Sequence, residues 1–345
     1  MNTRIDGRWS TPLAPNAADG VERVECGICP HHCRLREGQR GRCFVRVARG
    51  GRVISSAGLR ISGAAVDPIE KKPLYHFLPG SRAFSIGAIG CNLSCSFCQN
   101  HRISQPRDES ALGEEAAPEV IASVAGGSDC ASVAFTYNEP IVTFEHTIAC
   151  ARACRAAGLR TIAVTAGFIE PGPREEFFEV MDATNVDLKS MNPDFYRRYC
   201  GAELQPVQDT LRWIAAAGRT WLEVTTLLIP GANDGEPELR ELAAWVRDEL
   251  GPATPLHFTA FYPTHWMTDH PPTPPETLHR ARDIALEAGV QFVYTGNIDD
   301  DIGSATYCPS CHGELVRRSG YDVRPVGLDP QGHCLYCGVQ VPGRW

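Results

Sequence analysis

Short apolar runs alternate with longer amphipathic segments between residues 83 and 295. The runs predict seven buried strands: Ala83–Ile89, Ser132–Tyr137, Arg160–Ala166, Ala183–Leu188, Trp221–Ile229, Leu256–Tyr262 and Gln291–Thr295. The segments between them predict six helices: Pro118–Val124, Thr143–Ala157, Pro173–Met181, Pro206–Ala217, Glu236–Glu249 and Glu276–Ala288. This alternation predicts an α/β fold whose parallel sheet is closed or partly closed as a β/α barrel, with its chemistry at the C-terminal ends of the strands.

The chain on either side of this region has a different pattern. Residues 1–22 are polar and include Pro12 and Pro15, which predicts a disordered arm. Residues 23–80 form a cysteine-rich segment, in which Arg42–Val47 and Arg52–Ile61 read as two strands of a hairpin. We therefore predict four parts: the arm, this N-terminal segment, a barrel over residues 81–300 and a small domain over residues 301–345.

Composition narrows the class of protein. The chain has 345 residues, of which 43% are hydrophobic and 21% charged, as in ordinary globular proteins. Its net charge of −8 argues against nucleic acid or an anionic membrane as a partner. No apolar run is long enough to span a membrane and no signal peptide is evident, so we expect a cytoplasmic protein. The 15 cysteines then point to metals rather than disulfides.

Three cysteines follow the first barrel strand directly. Cys91, Cys95 and Cys98 stand in a C-x3-C-x2-C spacing within Gly90–Asn100. Three thiolates on one loop can hold three corners of a [4Fe–4S] cube, which leaves one iron open to a small molecule. A structural zinc loop is the alternative, but zinc knuckles usually repeat a C-x2-C pair on both sides of the site. We therefore favour an iron–sulfur cluster.

Two further groups of cysteines flank the barrel. The first contains Cys26, Cys29, Cys33 and Cys43, whose gaps let four thiolates converge on a structural zinc or on a second iron–sulfur cluster. The second consists of two C-x2-C pairs with the spacing of a zinc ribbon: Cys308, Cys311, Cys334 and Cys337. Zinc is favoured there, with rubredoxin-like iron as the alternative, and a segment this small needs its metal to fold.

The cluster motif, with Phe97 before its last cysteine, resembles the radical S-adenosylmethionine (SAM) superfamily. The resemblance implies a partial (β/α)6-type barrel in which SAM binds the open iron and is cleaved by one electron to methionine and a 5′-deoxyadenosyl radical. It also implies a SAM-binding role for Asn138 and Glu139, in Thr136-Tyr-Asn-Glu-Pro140. Tyr137 and Asn138 stand there in place of the glycines that the family commonly carries.

Other strand ends resemble the activating-enzyme branch of that superfamily. Asp187 and Lys189 match its Asp-x-Lys segment, which suits ribose, carboxylate or substrate contacts, although a salt bridge closing the rim is the alternative. Thr225, Thr226 and Pro230-Gly231 resemble an element that forms a wall of the SAM pocket. Side chains near the end of the sixth strand are candidates for substrate contacts: His257, His265, Met267, Asp269 and His270.

Nearly the whole chain after residue 22 resembles the AmmeMemoRadiSam-system radical SAM enzymes. The resemblance rests on four features: Cys26–Cys43, Tyr137–Pro140, Tyr294-Thr-Gly-Asn297 and the C-terminal ribbon. It implies an oxidoreductase-type enzyme, an electron donor such as ferredoxin or flavodoxin, and a Memo-like partner protein. It also implies a likeness to pyruvate formate-lyase activating enzymes, although their extra cysteines follow the cluster motif, whereas here they precede it.

We therefore expect a radical SAM enzyme that abstracts a hydrogen atom from an unidentified substrate. Two alternatives stay open from the sequence. One is an activase that places a radical on a glycine of a partner protein. The other is a non-catalytic metal-bearing scaffold or electron carrier, which would need no SAM pocket.

Overall fold

The computed structural model describes residues 7–14, 20–106, 108 and 113–345. The described residues of the N-terminal part form seven short strands: β1 (Ser10–Leu13), β2 (Arg23–Cys26), β3 (Arg34–Leu35), β4 (Arg46–Arg49), β5 (Arg52–Ser55), β6 (Arg60–Ile61) and β7 (Gly63–Pro68). The strands β1, β2 and β3 form one antiparallel sheet, and β4 and β5 form the predicted hairpin. The prediction of a disordered arm over residues 1–22 is wrong at Ser10–Leu13, because this stretch pairs with Arg23–Cys26 as an antiparallel strand.

The middle of the chain supplies the central sheet. Its strands are β8 (Arg82–Gly87), β10 (Ser132–Phe135), β11 (Arg160–Thr165), β12 (Ala183–Asp187), β13 (Trp221–Leu228), β14 (Leu256–Ala260) and β15 (Val293–Gly296), while β9 (Glu114–Glu115) pairs with β6. The seven strands of the central sheet, from β8 and β10 to β15, are parallel and lie side by side in chain order. Strand β7 pairs with β8 as an antiparallel edge. All seven predicted strands are confirmed, and the sheet is a partial barrel.

Helices connect the parallel strands and cover the outside of the sheet. They are α1 (His101–Ser104), α2 (Pro118–Gly127), α3 (Phe144–Ala156), α4 (Pro171–Glu179), α5 (Pro193–Phe195), α6 (Leu204–Ala217), α7 (Glu236–Trp245), α8 (Pro275–Glu287) and α9 (Asp301–Ser304). Proline stands in the first turn of α2, α4, α7 and α8, where its missing N–H costs nothing. Gly218 ends α6 in the left-handed conformation, which glycine adopts without strain. All six predicted helices are confirmed.

A stretch of chain closes the sheet at the N-terminal ends of its strands. We call residues 72–78 the base segment. The backbone N–H groups of Tyr75 and His76 donate to the Glu223 carboxylate on β13 at 2.8–3.0 Å. His257 on β14 bonds the same carboxylate at 2.7 Å, and Tyr294 on β15 bonds His76 at 2.6 Å. These buried polar groups are hydrogen-bonded to one another, so the base segment and the strands form a connected polar layer in the interior.

The C-terminal residues pack against this base. Strands β16 (Thr306–Tyr307), β17 (Glu314–Ser319) and β18 (Asp322–Pro325) form a small antiparallel sheet. Arg318 is fully buried and donates to the backbone oxygen of Tyr75 at 2.7 Å. Its guanidinium also lies over the Tyr75 ring, 4.2 Å from the centroid. The ribbon therefore lies at the opposite end of the barrel from the C-terminal ends of the strands.

In the part of the chain that the structure describes, no helix is long and apolar enough to cross a membrane.

Candidate functional site

The three-cysteine loop leaves the C-terminal end of β8, as predicted. Cys95 is buried, while Cys91 and Cys98 are half-buried. Burial raises the pKa of Cys91 well above its ordinary value, and the nearby Glu139 and Cys95 raise it further. Three sulfurs at one mouth form a suitable donor set for a [4Fe–4S] cluster, whose positive irons would stabilise the thiolates that burial disfavours.

Backbone hydrogen bonds attach this loop to two neighbouring segments. The N–H groups of Ser94 and Ser96 each donate at 2.8 Å to carbonyl oxygens at the end of the π-helical turn Tyr196–Cys200. On the other side, the N–H of Trp266 donates to the carbonyl oxygen of Ser96 at 2.9 Å. The loop is therefore held by chain from beyond β12 and β14, in positions that the local motif does not indicate.

Cys200 lies directly beside the motif. The Cys200 thiol and the Lys189 ammonium both lower the pKa of Cys95, although burial opposes this. Cys200 itself is fully buried, and burial raises its pKa. Sequence reasoning found no relation between Cys200 and the motif, because the two are about a hundred residues apart and share no spacing pattern.

Asn138 connects the end of β10 to the start of the cysteine loop. Its side-chain oxygen accepts from Ala88 N at 3.0 Å, and its side-chain nitrogen donates to Gly90 O at 2.8 Å. The sequence predicted a role for Asn138 in binding SAM. In the structure both ends of its amide hold the backbone that leads into Cys91.

Tyr137 has a backbone conformation that glycine adopts more readily than other residues. Its φ is 69°, in the left-handed region where bulky residues are uncommon. The hydroxyl donates to Asp67 Oδ2 on β7 at 2.7 Å, and the Lys72 ammonium lies 4.9 Å from the ring centroid. These contacts keep a tyrosine where the backbone turns sharply.

Glu139 is buried at the end of β10, with only 1% of its surface exposed. One carboxylate oxygen accepts from Thr165 Oγ1 at 2.7 Å and from Ile141 N at 3.2 Å. The other accepts from Ala166 N at 2.8 Å. Burial raises its pKa to about 7. Since a carboxylate offers about four acceptor positions, one remains for a further donor.

Asp187 and Lys189 form the ion pair that the sequence analysis gave as an alternative. The Lys189 ammonium lies 2.9 Å from Asp187 Oδ2 and 5.9 Å from the centroid of the buried Phe97 ring. The positive charge of Lys189 also lowers the pKa of Cys95. The side chain of Asp187 is 35% exposed, whereas that of Lys189 is 13% exposed. All three predicted residues thus lie around the cysteine loop, with Asp187 on the accessible side.

The candidates for substrate contacts do not form one group. His257 is wrong as a mouth residue, because it lies early in β14 and its side chain is buried against Glu223. His265 is at the mouth, where its ring stacks on His101 with centroids 4.5 Å apart. These two side chains line a cavity with Arg102, Gln105 and the 69% exposed Trp266.

The predicted SAM-pocket wall after β13 is less accessible than expected. Thr226 is buried and donates to the carbonyl oxygen of Leu188 at 2.7 Å. Thr225 is also buried, and its hydroxyl has no protein partner. Gly231 N is bonded to the Asp234 carboxylate at 2.8 Å, which closes the turn after the strand. Among these three residues, Thr225 thus has a buried hydroxyl without a protein partner, whereas Thr226 and Gly231 are hydrogen-bonded within the protein.

The four N-terminal cysteines lie near the same mouth. All four line one cavity: Cys26, Cys29, Cys33 and Cys43. The cavity also touches Asn92 of the cysteine loop, whose carbonyl oxygen is 2.7 Å from His31 Nε2. The His31 ring packs against Phe168, with ring centroids 5.1 Å apart.

The ribbon cysteines converge tightly at the other end of the molecule. Their sulfurs all lie within 4.8 Å of one another, with Cys308–Cys337 and Cys311–Cys334 pairs at 3.6 Å. Four sulfurs this close fit one tetrahedral ion. The predicted four-cysteine cluster is confirmed and could hold a metal ion, and zinc as that ion stays a prediction. None of the 15 cysteines is in a disulfide.

Comparisons with known proteins agree with this arrangement. The model of the radical SAM superfamily matches residues 86–243, which include the cysteine loop and Glu139. An uncharacterized protein of Methanocaldococcus jannaschii is 40% identical over 321 residues, which cover 92% of this chain and 95% of that protein. A probable GTP 3′,8-cyclase of Methanosarcina mazei is 29% identical over 171 residues, or 47% of this chain and 49% of the relative.

A solved structure shares the fold. SuiB of Streptococcus suis, bound to S-adenosylmethionine, superimposes with a TM-score of 0.51 at 15% identity. The similarity covers 66% of this chain and 53% of SuiB. At this level of identity the likeness concerns the barrel rather than the substrate.

Proposed function

Because the chain belongs to the radical SAM superfamily, we propose that it cleaves S-adenosylmethionine and directs the resulting radical at a substrate in the barrel mouth. One observation carries the proposal: the buried carboxylate of Glu139, at the end of β10, directly follows Asn138, whose side chain bonds the backbone of Ala88 and Gly90 where the neighbouring strand β8 leads into Cys91. A [4Fe–4S] cluster on Cys91, Cys95 and Cys98 would supply the electron for the cleavage.

The residues of the mouth have separate tasks in this proposal. Glu139 accepts a hydrogen bond from the ammonium group of SAM with its remaining acceptor position. Asn138 positions the cysteine loop through the backbone of Ala88 and Gly90. Asp187, the accessible partner of Lys189, accepts from ribose hydroxyls. This division differs from the sequence-based prediction, which gave Asn138 a SAM-binding role.

The substrate binds on the rim formed by His101, His265 and Trp266. The exposed indole and the stacked imidazoles offer an apolar surface with polar edges. This rim adjoins the cysteine loop through the hydrogen bond from Trp266 N to Ser96 O. A substrate seated there lies next to the site where the radical forms.

The proposal includes an external one-electron donor of the ferredoxin or flavodoxin class, since cleavage of SAM consumes an electron that the chain does not generate. It also includes a cytoplasmic location, supported by the 15 unpaired cysteines. The Memo-like partner stays a hypothesis based on the sequence resemblance.

Anaerobic reconstitution tests the function directly. The protein is loaded with iron and sulfide, incubated with SAM and dithionite, and assayed for 5′-deoxyadenosine by chromatography. The proposal requires 5′-deoxyadenosine in the complete reaction and none without SAM or reductant. The opposite result is a fully loaded protein that forms no 5′-deoxyadenosine and whose reduced EPR signal does not change on addition of SAM. Such a protein would be a scaffold or electron carrier.

A further inference from the structure

The four N-terminal cysteines form a site that the proposed SAM chemistry does not use. Cys26 ends β2, Cys29 and Cys33 lie on the following turn, and Cys43 precedes the β4–β5 hairpin. Hydrogen bonds hold this part in place: Cys26 N donates to Cys33 O at 3.0 Å, and Glu170 N donates to Ile28 O at 3.0 Å. The four sulfurs therefore face one cavity on a defined framework.

The spacing of these sulfurs distinguishes the two kinds of metal centre. On one zinc ion, sulfurs bound at ~2.3 Å stand about 3.8 Å apart in a tetrahedron. The ribbon sulfurs have this spacing, at 3.6 Å within each of two pairs. In the N-terminal group, all of whose members are described, no three sulfurs lie within 4.8 Å of one another. The same is true of Cys91, Cys95 and Cys98.

Wider spacing is what a cubane cluster requires, because each cysteine binds a different iron. We infer that Cys26, Cys29, Cys33 and Cys43 hold a second [4Fe–4S] cluster rather than zinc. All four ligands come from the chain, so this cluster has no open iron and does not bind SAM. It serves electron transfer only.

The surroundings of the cavity suit such a cluster. Its wall is apolar at Ile28, Ile141 and Val142. The same wall carries the buried Arg46, 2% exposed, which donates to Val142 O at 2.9 Å and forms a two-fold ion pair with Glu145 at 2.7–2.8 Å. A fixed cation beside four thiolates offsets part of their negative charge, and an apolar wall limits access of water.

The cavity adjoins the SAM-binding cysteine loop. Gly90 has a φ of 88°, and a Cβ built on it would overlap the backbone carbonyl oxygen of Cys43. His31 bonds Asn92, the residue that follows Cys91. The two cysteine groups thus touch through their backbones. In the relay that this contact permits, which rests on the proposed function, a ferredoxin-class donor reduces the second cluster by one electron, and that electron passes to the first.

Metal analysis of a variant that lacks the first cluster tests the inference. In the C91A/C95A/C98A protein, reconstituted anaerobically, we expect about four irons and four sulfides per chain, half the content of the parent. Its reduced EPR signal should not change on addition of SAM. Zinc should stay at the level set by the ribbon. A variant with no iron–sulfur absorbance, or with twice the zinc, would overturn the inference.

The reciprocal variant separates this result from the SAM chemistry. C29S/C43S should contain half the iron of the parent and keep an EPR signal that responds to SAM. It should still form 5′-deoxyadenosine with dithionite, which reaches the first cluster directly, and lose at least ten-fold in rate with flavodoxin. Unchanged iron in this variant would exclude the second cluster. If neither the parent nor C29S/C43S cleaves SAM, but C29S/C43S and C91A/C95A/C98A each contain half of the parent's iron, only the proposed function fails.

Discussion

The side-chain amide of Asn138 donates to the backbone oxygen of Gly90 at 2.8 Å, immediately before the first cysteine of the motif. The same side chain accepts from Ala88 N. A residue on one strand end therefore fixes the path of the loop that follows the neighbouring strand. Its placement explains how a segment without the family's glycines can still serve the site.

We expect N138A to weaken the cluster rather than the affinity for SAM. The substitution leaves Ala88 N and Gly90 O without their partner, which costs roughly 1–3 kcal/mol for buried backbone groups. Iron should be lost faster on dilution into chelator than from the parent protein. N138D keeps the acceptor for Ala88 but sets a carboxylate oxygen against Gly90 O, so it should not restore retention of the cluster. A ten-fold loss of SAM affinity with normal cluster retention would instead support direct contact.

Single alanine substitutions of Cys91, Cys95 or Cys98 should each abolish 5′-deoxyadenosine formation. Three thiolates are the minimum for a cluster with one open iron, so none is spare. Zinc bound by the ribbon should be unchanged, as measured by metal analysis. C130A, a buried thiol outside all three groups, is the matched control and should retain activity. Full activity in any of the three variants would contradict the assignment.

E139A should weaken SAM binding by roughly 10- to 150-fold, the equivalent of a charge-assisted hydrogen bond of ~1.5–3 kcal/mol. E139Q should lose less, because it keeps an acceptor oxygen. Affinity is measured by titrating the reduced EPR signal with SAM. T165V keeps the Glu139 carboxyl but removes a hydrogen bond that lowers its pKa, so its loss of SAM affinity should be smaller than that of E139A and should shrink as the pH rises above 7. If E139A bound SAM as tightly as the parent, Asp187 would become the main candidate.

Asp67 should make stability depend on pH. Burial opposes its ionisation, but hydrogen bonds from Lys72, Tyr137 and Lys71 outweigh this and hold the pKa of Asp67 below its ordinary value of 3.8. A lowered pKa stabilises the folded protein above pH 4, and this contribution disappears as pH falls further. In urea unfolding at pH 7, D67N should lose about 1–3 kcal/mol. The difference between parent and variant should shrink toward pH 3; a constant difference would contradict this role.

C311S should remove the metal from the ribbon and leave the cluster intact. Cys311 pairs with Cys334 at 3.6 Å, and a small sheet without its ion has little core of its own. Zinc analysis should show loss of one ion, and proteolysis should become faster after residue 305. S319A, in the same sheet but away from the sulfurs, should bind zinc normally. Loss of iron in C311S would show that the two ends of the molecule are not independent.

The barrel could be predicted almost completely from sequence. Its strands are buried on both faces and read as apolar runs, as in Ser132–Phe135, where every residue is buried. The cysteine groups could be predicted as well, because their ligands lie close together in the chain. The strand Ser10–Leu13 could not, since its short polar sequence is ordered only by pairing with Arg23–Cys26.

Contacts between distant segments account for the other differences. Cys200 lies beside Cys95 because the π-helical turn ends against the cysteine loop, and no spacing rule records that approach. His257 was placed at the mouth from its neighbours in sequence, but position along β14 puts it at the base with Glu223. Alternation along a strand tells which face a side chain occupies, whereas depth within the barrel depends on where the strand begins.

The location of the ribbon at the base, away from the two cysteine groups at the mouth, has a practical consequence for the fate of the protein in air. Oxygen attacks iron–sulfur centres first. Loss of the proposed clusters would leave the cysteines of the mouth loops without metal, while the base segment, Glu223 and Arg318 stay packed. Aerobically isolated protein should therefore be colourless and inactive, yet still folded and still carrying its ribbon ion. Such protein can be reconstituted with iron and sulfide under reducing conditions, because only the sites at the mouth have to be rebuilt.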